Sequence, residues 1–167
     1  MSTLPPSLRS ALLAALTLTS TLIGAQPKAG DVFPPLAEAK LEGTLPDTAG
    51  KVIIVDFWAS WCGPCRAAFP ALSEIAEKYK SRGVVVVGIS VDEDKADMEA
   101  FVRKASPKFA IVRDPNSKLI EKLDVQVMPT TFIIDQTGKV AVVHSGYAGD
   151  STKKEYIAEI EQLLAKP

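Results

Sequence analysis

Val52-Ile53-Ile54-Val55-Asp56-Phe57-Trp58-Ala59-Ser60-Trp61-Cys62-Gly63-Pro64-Cys65 is the stretch that decides how the chain is read. Its first seven residues form a β-branched and aromatic run bounded upstream by Ala49-Gly50-Lys51, which is the pattern of a strand buried on both faces. From Cys65 to Arg82 the period changes. Phe69, Leu72, Ile75, Ala76 and Tyr79 recur at helical spacing, while Glu74, Glu77, Lys78 and Lys80 fill much of the opposite side. A Cys-Gly-Pro-Cys pair therefore stands where a buried strand gives way to a helix. Unpaired N–H groups and the helix dipole favour an anion there, which lowers a thiol pKa and raises the reactive thiolate fraction. Cys62 is the expected nucleophile, and Cys65, one turn deeper, the thiol that resolves a mixed disulfide. Pro64 falls in the first turn, where a missing N–H sacrifices no hydrogen bond. Pro70, inside the helix, is expected to kink it.

Three other readings of the pair fail on arithmetic. A zinc site needs about four ligands, whereas the chain holds two cysteines and one distant histidine, His144. A structural disulfide across two residues closes too small a loop to stabilise much. Two inert thiols in an exported protein would be an oxidation liability.

Export is the expectation from the N-terminus. Met1 to Ser10 carries one charge, Arg9; Ala11 to Ile23 is uncharged and mostly apolar, and Gly24-Ala25 supplies small residues. This order predicts a secretory signal peptide over residues 1–25, with an uncleaved anchor as the alternative, and a domain over 26–167. The apolar part is short for a bilayer span of about 20 residues. No cysteine near its end offers a lipid attachment point. Loss of Arg9 would move the net charge from −1 to −2, so no field recruits nucleic acid or anionic membrane. A composition of 47% hydrophobic and 23% charged residues excludes a disordered chain. The location expected is periplasmic or otherwise extracytoplasmic, where a dithiol needs its own electron source.

Outward from the motif, Gly43 to Gly50 reads as a loop, and residues 26–37 as an irregular segment anchored by Phe33 and Leu36. Val84 to Val91 is a second buried strand and Asp92 to Ala105 a helix whose acidic start, Asp92-Glu93-Asp94, lies on a solvated face. Phe109 to Val112 is a short strand, and Asp114-Pro115-Asn116 turns into a short helix. Thr131–Asp135 and Lys139–His144 pair across Gln136-Thr137-Gly138, and Glu155 to Leu164 closes the chain as a helix. The pattern is α/β with a central mixed sheet flanked by helices. His144 reads as a strand-end polar residue. Asp56 is unusual: a carboxyl inside an apolar run has its pKa raised by burial, which makes it a candidate proton acceptor for Cys65.

The active-site stretch, together with Val127-Met128-Pro129-Thr130-Thr131-Phe132-Ile133-Ile134-Asp135 and Gly138-Lys139-Val140, resembles the thioredoxin superfamily over about residues 32–165. The leader, and the extra helix and strand at 92–112, resemble its exported TlpA/ResA-like branch. The resemblance implies a thioredoxin fold with an N-terminal extension and a helix–strand insertion. It implies an oxidoreductase in which Cys62, Cys65, Asp56 and a cis Pro129 are catalytic. It also implies that Trp61, Gly63, Pro64, Met128, Thr130 and Gly146 face the substrate, with Trp61 covering the dithiol and Trp58 in the core. Disulfide-containing proteins are the implied substrates and a membrane thiol carrier the implied electron donor. No metal and no cofactor beyond the disulfide itself are implied.

Departures narrow the expectation. Thioredoxin pairs its buried Asp with a lysine where this chain has Gly88. Cytochrome c maturation relatives carry a glutamate where Ala68 stands and Gly-x-Pro where Val127-Met128 stand, which keeps that role as an alternative only. A thiol peroxidase wants Thr or Ser at Ala59, and a copper-binding chaperone wants three residues between its cysteines. A redox-inactive interaction domain would not need both thiols.

Overall fold

The computed structural model describes residues 25–166. Except for Ala25, the leader assigned to 1–25 lies outside them. Five strands, β1 (Val52–Trp58), β2 (Val84–Ser90), β3 (Ala110–Arg113), β4 (Thr130–Ile134) and β5 (Val140–Ser145), form one sheet in the order β3-β2-β1-β4-β5. β1, β2 and β3 run parallel to one another, whereas β4 runs antiparallel to both β1 and β5. Four helices accompany it: α1 (Gly63–Tyr79), α2 (Lys95–Ala105), α3 (Lys118–Lys122) and α4 (Asp150–Leu164). This is the mixed, helix-flanked sheet expected of a thioredoxin fold, with α2 and β3 as the inserted pair at one edge. None of the described helices is long and apolar enough to cross a membrane.

Alternation along β1 divides the core. Val52 and Ile54 pack with Ala68, Leu72 and Ile75 of α1 and Tyr156 and Ile160 of α4. Val55 and Phe57 face the other way, onto Phe33, Leu36, Leu119 and Phe132. Successive strand residues point to opposite faces, so Asp56 falls on the α1/α4 side, between Ile54 and Trp58. Trp58 in turn clusters with both cysteines. β1 is buried along nearly its whole length because sheet neighbours and helices cover both its faces.

Boundaries differ from expectation where local hydrogen bonds decide them. α2 starts at Lys95 rather than Asp92, because Asp94 Oδ1 accepts the Ala96 N–H at 2.8 Å and sets the cap there. α4 starts at Asp150, five residues before Glu155. Gly149 turns the chain with φ +72° and the Thr152 hydroxyl accepts the Ala148 N–H at 3.1 Å, so the first turn is built from polar residues that an apolar period does not register. Pro70 lies on the exposed side within α1, which continues through it to Tyr79.

Candidate active site

Cys62 is the residue that caps α1. Its sulfur accepts the Cys65 N–H at 3.3 Å, the position a serine or aspartate oxygen takes at an ordinary helix start. Pro64 is the second helical residue. The cysteines are joined as a disulfide, with Cα atoms 5.3 Å apart. Cys62 keeps 7% of its surface exposed and Cys65 none, which orders them as outer and inner sulfur. Around them cluster Trp58, Ala59, Phe69 and Met98, and the Trp58 and Phe69 rings meet edge to face at 4.7 Å.

The second motif arrives from the start of β4. Met128 O lies 3.8 Å from Cys62 Sγ, and the Met128–Pro129 peptide bond is cis. Gly146, at φ +86°, donates its N–H to Pro129 O at 2.6 Å and so ties this loop to the end of β5. Thr130 is buried and its hydroxyl donates to Val127 O at 2.7 Å. Its side chain therefore clasps the loop from within. Trp61, next to Cys62 in the chain, is 69% exposed, and the buried apolar backing of the sulfurs comes from Trp58. Trp61, Gly63, Pro64 and, in the second motif, Val127 (52% exposed) are the exposed residues of the two segments that meet at Cys62 and Met128.

Asp56 is fully buried. Its Oδ1 accepts the Thr131 hydroxyl at 2.7 Å, and Oδ2 has no hydrogen-bond partner among the described residues. Burial pushes its pKa up to about 7, against the smaller lowering effect of the Thr131 bond. Its register partner on β2 is Gly88. A Cβ at Gly88 would come within 2.9 Å of Ile111 Cδ1 and 3.0 Å of a Phe109 ring carbon, so a larger side chain there would have to displace Ile111 of β3 and Phe109 just before it.

Asp92 is the residue whose place the sequence does not foretell. It is buried, not on a solvated helix face, and gathers the Ser60 N–H (3.0 and 3.1 Å), the Ser60 hydroxyl (2.7 Å) and the Ser90 hydroxyl (2.7 Å). This carboxylate holds the Ser60-Trp61 turn that delivers Cys62. Only the serines at 60 and 90 hint at it, and they lie far apart in sequence. Asp92→Ala strands these donors and is expected to lower stability by about 2–4 kcal/mol in urea melts, with Ser60→Ala losing about 1 kcal/mol. Equal losses for the two variants would contradict the carboxylate's role. His144 bonds Glu159 at 2.7 Å and meets the Tyr156 ring edge to face. Among the described residues no group of acidic, histidine or cysteine side chains is arranged to hold a metal.

A disulfide capping a helix at the end of a central parallel strand, faced by a Met-Pro loop, defines the thiol–disulfide oxidoreductases built on the thioredoxin fold. The chain belongs to the AhpC/TSA family, whose profile matches residues 30–143, and within it to the ResA-like proteins. It is 31% identical over 137 residues to a thiol-disulfide oxidoreductase ResA of Bacillus cereus, covering 80% of this chain and 78% of that one. To ResA of Bacillus subtilis (strain 168) it is 34% identical over 113 residues, 68% and 63% of the two chains. A Chlorobium tepidum crystal structure, provisionally described as the thiol:disulfide interchange protein DsbE, superposes with a TM-score of 0.72 at 32% identity, over 84% of this chain and 98% of that one.

Proposed function

We propose that this thiol–disulfide oxidoreductase reduces disulfides in proteins outside the cytoplasm, cycling Cys62 and Cys65 between dithiol and disulfide. The observation that carries the reading is the outer sulfur of Cys62 capping α1, backed by an inner sulfur on the same face of the sheet as buried Asp56. The Cys62 thiolate, stabilised by the Cys65 N–H and the helix dipole, attacks one sulfur of a substrate disulfide and expels the other as a thiolate. The substrate backbone pairs with Met128 beside the cis proline, against the rim formed by Trp61, Gly63 and Pro64. Asp56 then takes the Cys65 proton. The Cys65 thiolate attacks Cys62 Sγ, the Cys62–substrate bond breaks, and the second substrate thiolate leaves. Two electrons have passed from the dithiol to the substrate, leaving the disulfide seen in the structure.

Export on the N-terminal segment would require that electrons return from a membrane thiol carrier, since no cytosolic thiol pool reaches the protein. The names of the ResA relatives support the reaction class. Peroxide chemistry is disfavoured because Ala59 brings no hydroxyl to the place where that reaction wants one. The deciding measurement is the reduction potential of the couple, read from tryptophan fluorescence in dithiol buffers. A value near about −270 mV is expected, whereas one near about −120 mV would make the protein a disulfide donor and reverse the direction.

A further inference from the structure

We propose that Thr131 and Tyr156 are positioning residues that divide the two oxygens of Asp56, locking Oδ1 as an acceptor and leaving Oδ2 to receive the Cys65 proton. The inference rests on the proposed role of Asp56 and specifies how that carboxyl is held. Thr131 is the register partner of Asp56 on β4, and its hydroxyl donates to Oδ1 at 2.7 Å. The Tyr156 hydroxyl, from α4, lies 2.8 Å from Thr131 Oγ1. Because the single hydroxyl proton of Thr131 is committed to Asp56, Tyr156 must be the donor in the second bond. The chain therefore points one way, from Tyr156 through Thr131 to Asp56.

That direction fixes where a proton can arrive. Placed on Oδ1, it would force Thr131 to turn its hydrogen toward Tyr156, which would then need a new acceptor. Tyr156 is fully buried, and Thr131 is its hydroxyl's only hydrogen-bond partner among the described residues. Placed on Oδ2, the proton leaves the whole chain undisturbed. Oδ2 is also the oxygen without a protein partner.

The groups around this carboxyl leave the task to the two hydroxyls. β2 offers Gly88, which has no side chain. Trp58, two residues along β1, presents an indole N–H with no partner among the described residues. α1 brings Cys65. β5 brings His144, the register partner of Thr131, which is engaged with Glu159 and Glu155 and meets the Tyr156 ring edge to face. Tyr147 and Glu159, near Tyr156, both add to the effect of burial in holding its hydroxyl protonated. No lysine or arginine forms an ion pair with Asp56 among the described residues, so Thr131 supplies the only donor that favours its ionised form.

The test follows the resolving step in the full chain. Reduced protein mixed with one equivalent of dithionitrobenzoate releases a first thionitrobenzoate on attack by Cys62 and a second when Cys65 displaces it. The rate of the second release should rise with pH through the Asp56 titration. In Thr131→Val the midpoint should move up by about one pH unit, so that resolution below it is about tenfold slower while the plateau stands. Tyr156→Phe should shift it in the same direction by less, and Thr131→Ser should restore the original midpoint. A mere packing role would alter melting temperature without moving the midpoint in this graded way. If Asp56→Asn loses the limb but Thr131→Val and Tyr156→Phe keep the original midpoint, the division of oxygens is wrong and the role of Asp56 stands. If Asp56→Asn keeps the limb, the role of Asp56 falls and this inference with it. Should Thr131→Val not fold, Tyr156→Phe against Thr131→Ser decides the matter alone.

Discussion

Cys65→Ala is expected to abolish turnover while sparing the first attack, so that the variant collects as a mixed disulfide on Cys62. The inner sulfur is buried and its neighbour caps the helix, so the second step is intramolecular between residues whose Cα atoms lie 5.3 Å apart. Intramolecular attack of this kind is worth effective concentrations of about 10⁵ M or more. An external thiol at millimolar concentration cannot replace it, and turnover should fall by at least about 10³-fold. Cys62→Ser should fall as far without trapping anything, because serine at that position is no thiolate. Intact-mass measurement after mixing each variant with a disulfide-bonded protein separates the two: an adduct on Cys65→Ala, none on Cys62→Ser. Turnover by Cys65→Ala within tenfold of the parent would mean that Cys62 works alone, and the two-thiol cycle would have to be abandoned.

What makes this pair readable from sequence also marks where sequence stops. β1, β2 and α1 are legible because each imposes one period over a long run, and the Cys-Gly-Pro-Cys pair is legible because its chemistry depends on neighbours three residues away. Asp56 is legible too, since its burial follows from the residues beside it. Asp92 is not. Its partners are Ser60, thirty-two residues upstream, and Ser90, and they become adjacent only when β2 lies beside β1. Read locally, three acids in a row describe a helix start, and two of the three behave so: Asp94 caps α2 and Glu93 is exposed. The Thr131–Tyr156 link is hidden for the same reason, a β4 residue meeting an α4 residue across 25 positions. Thr130 and Thr131 look alike in sequence, yet alternation along β4 sends one hydroxyl to the Val127 carbonyl and the other to Asp56.

Asp56→Asn should stabilise the protein strongly at pH 8 and scarcely at pH 4. In the folded chain burial pushes the Asp56 pKa up to about 7, while in the unfolded chain it titrates near its ordinary value of about 3.9. Between those values the folded state holds a proton that the unfolded state has released. Stability therefore falls as pH rises from about 4 to about 7, and is level on either side. Three pH units correspond to about 4 kcal/mol, an upper bound because relaxation and water entry soften the burial of the ionised carboxyl. Against a typical total of about 5–15 kcal/mol that is a large share. Asparagine retains an oxygen for the Thr131 hydroxyl and carries no charge at any pH, so it escapes the loss. Urea unfolding of both proteins at pH 4, 6 and 8 should show a gain growing from near zero to about 2–4 kcal/mol. A gain of equal size at all three pH values would mean that asparagine merely packs better, and no gain at pH 8 would mean that Asp56 is not held neutral by burial. The expected result ties stability to catalysis. On the proposed cycle, the burial that weakens the core above about pH 7 is the same burial that gives Asp56 a readily protonated oxygen for the Cys65 proton.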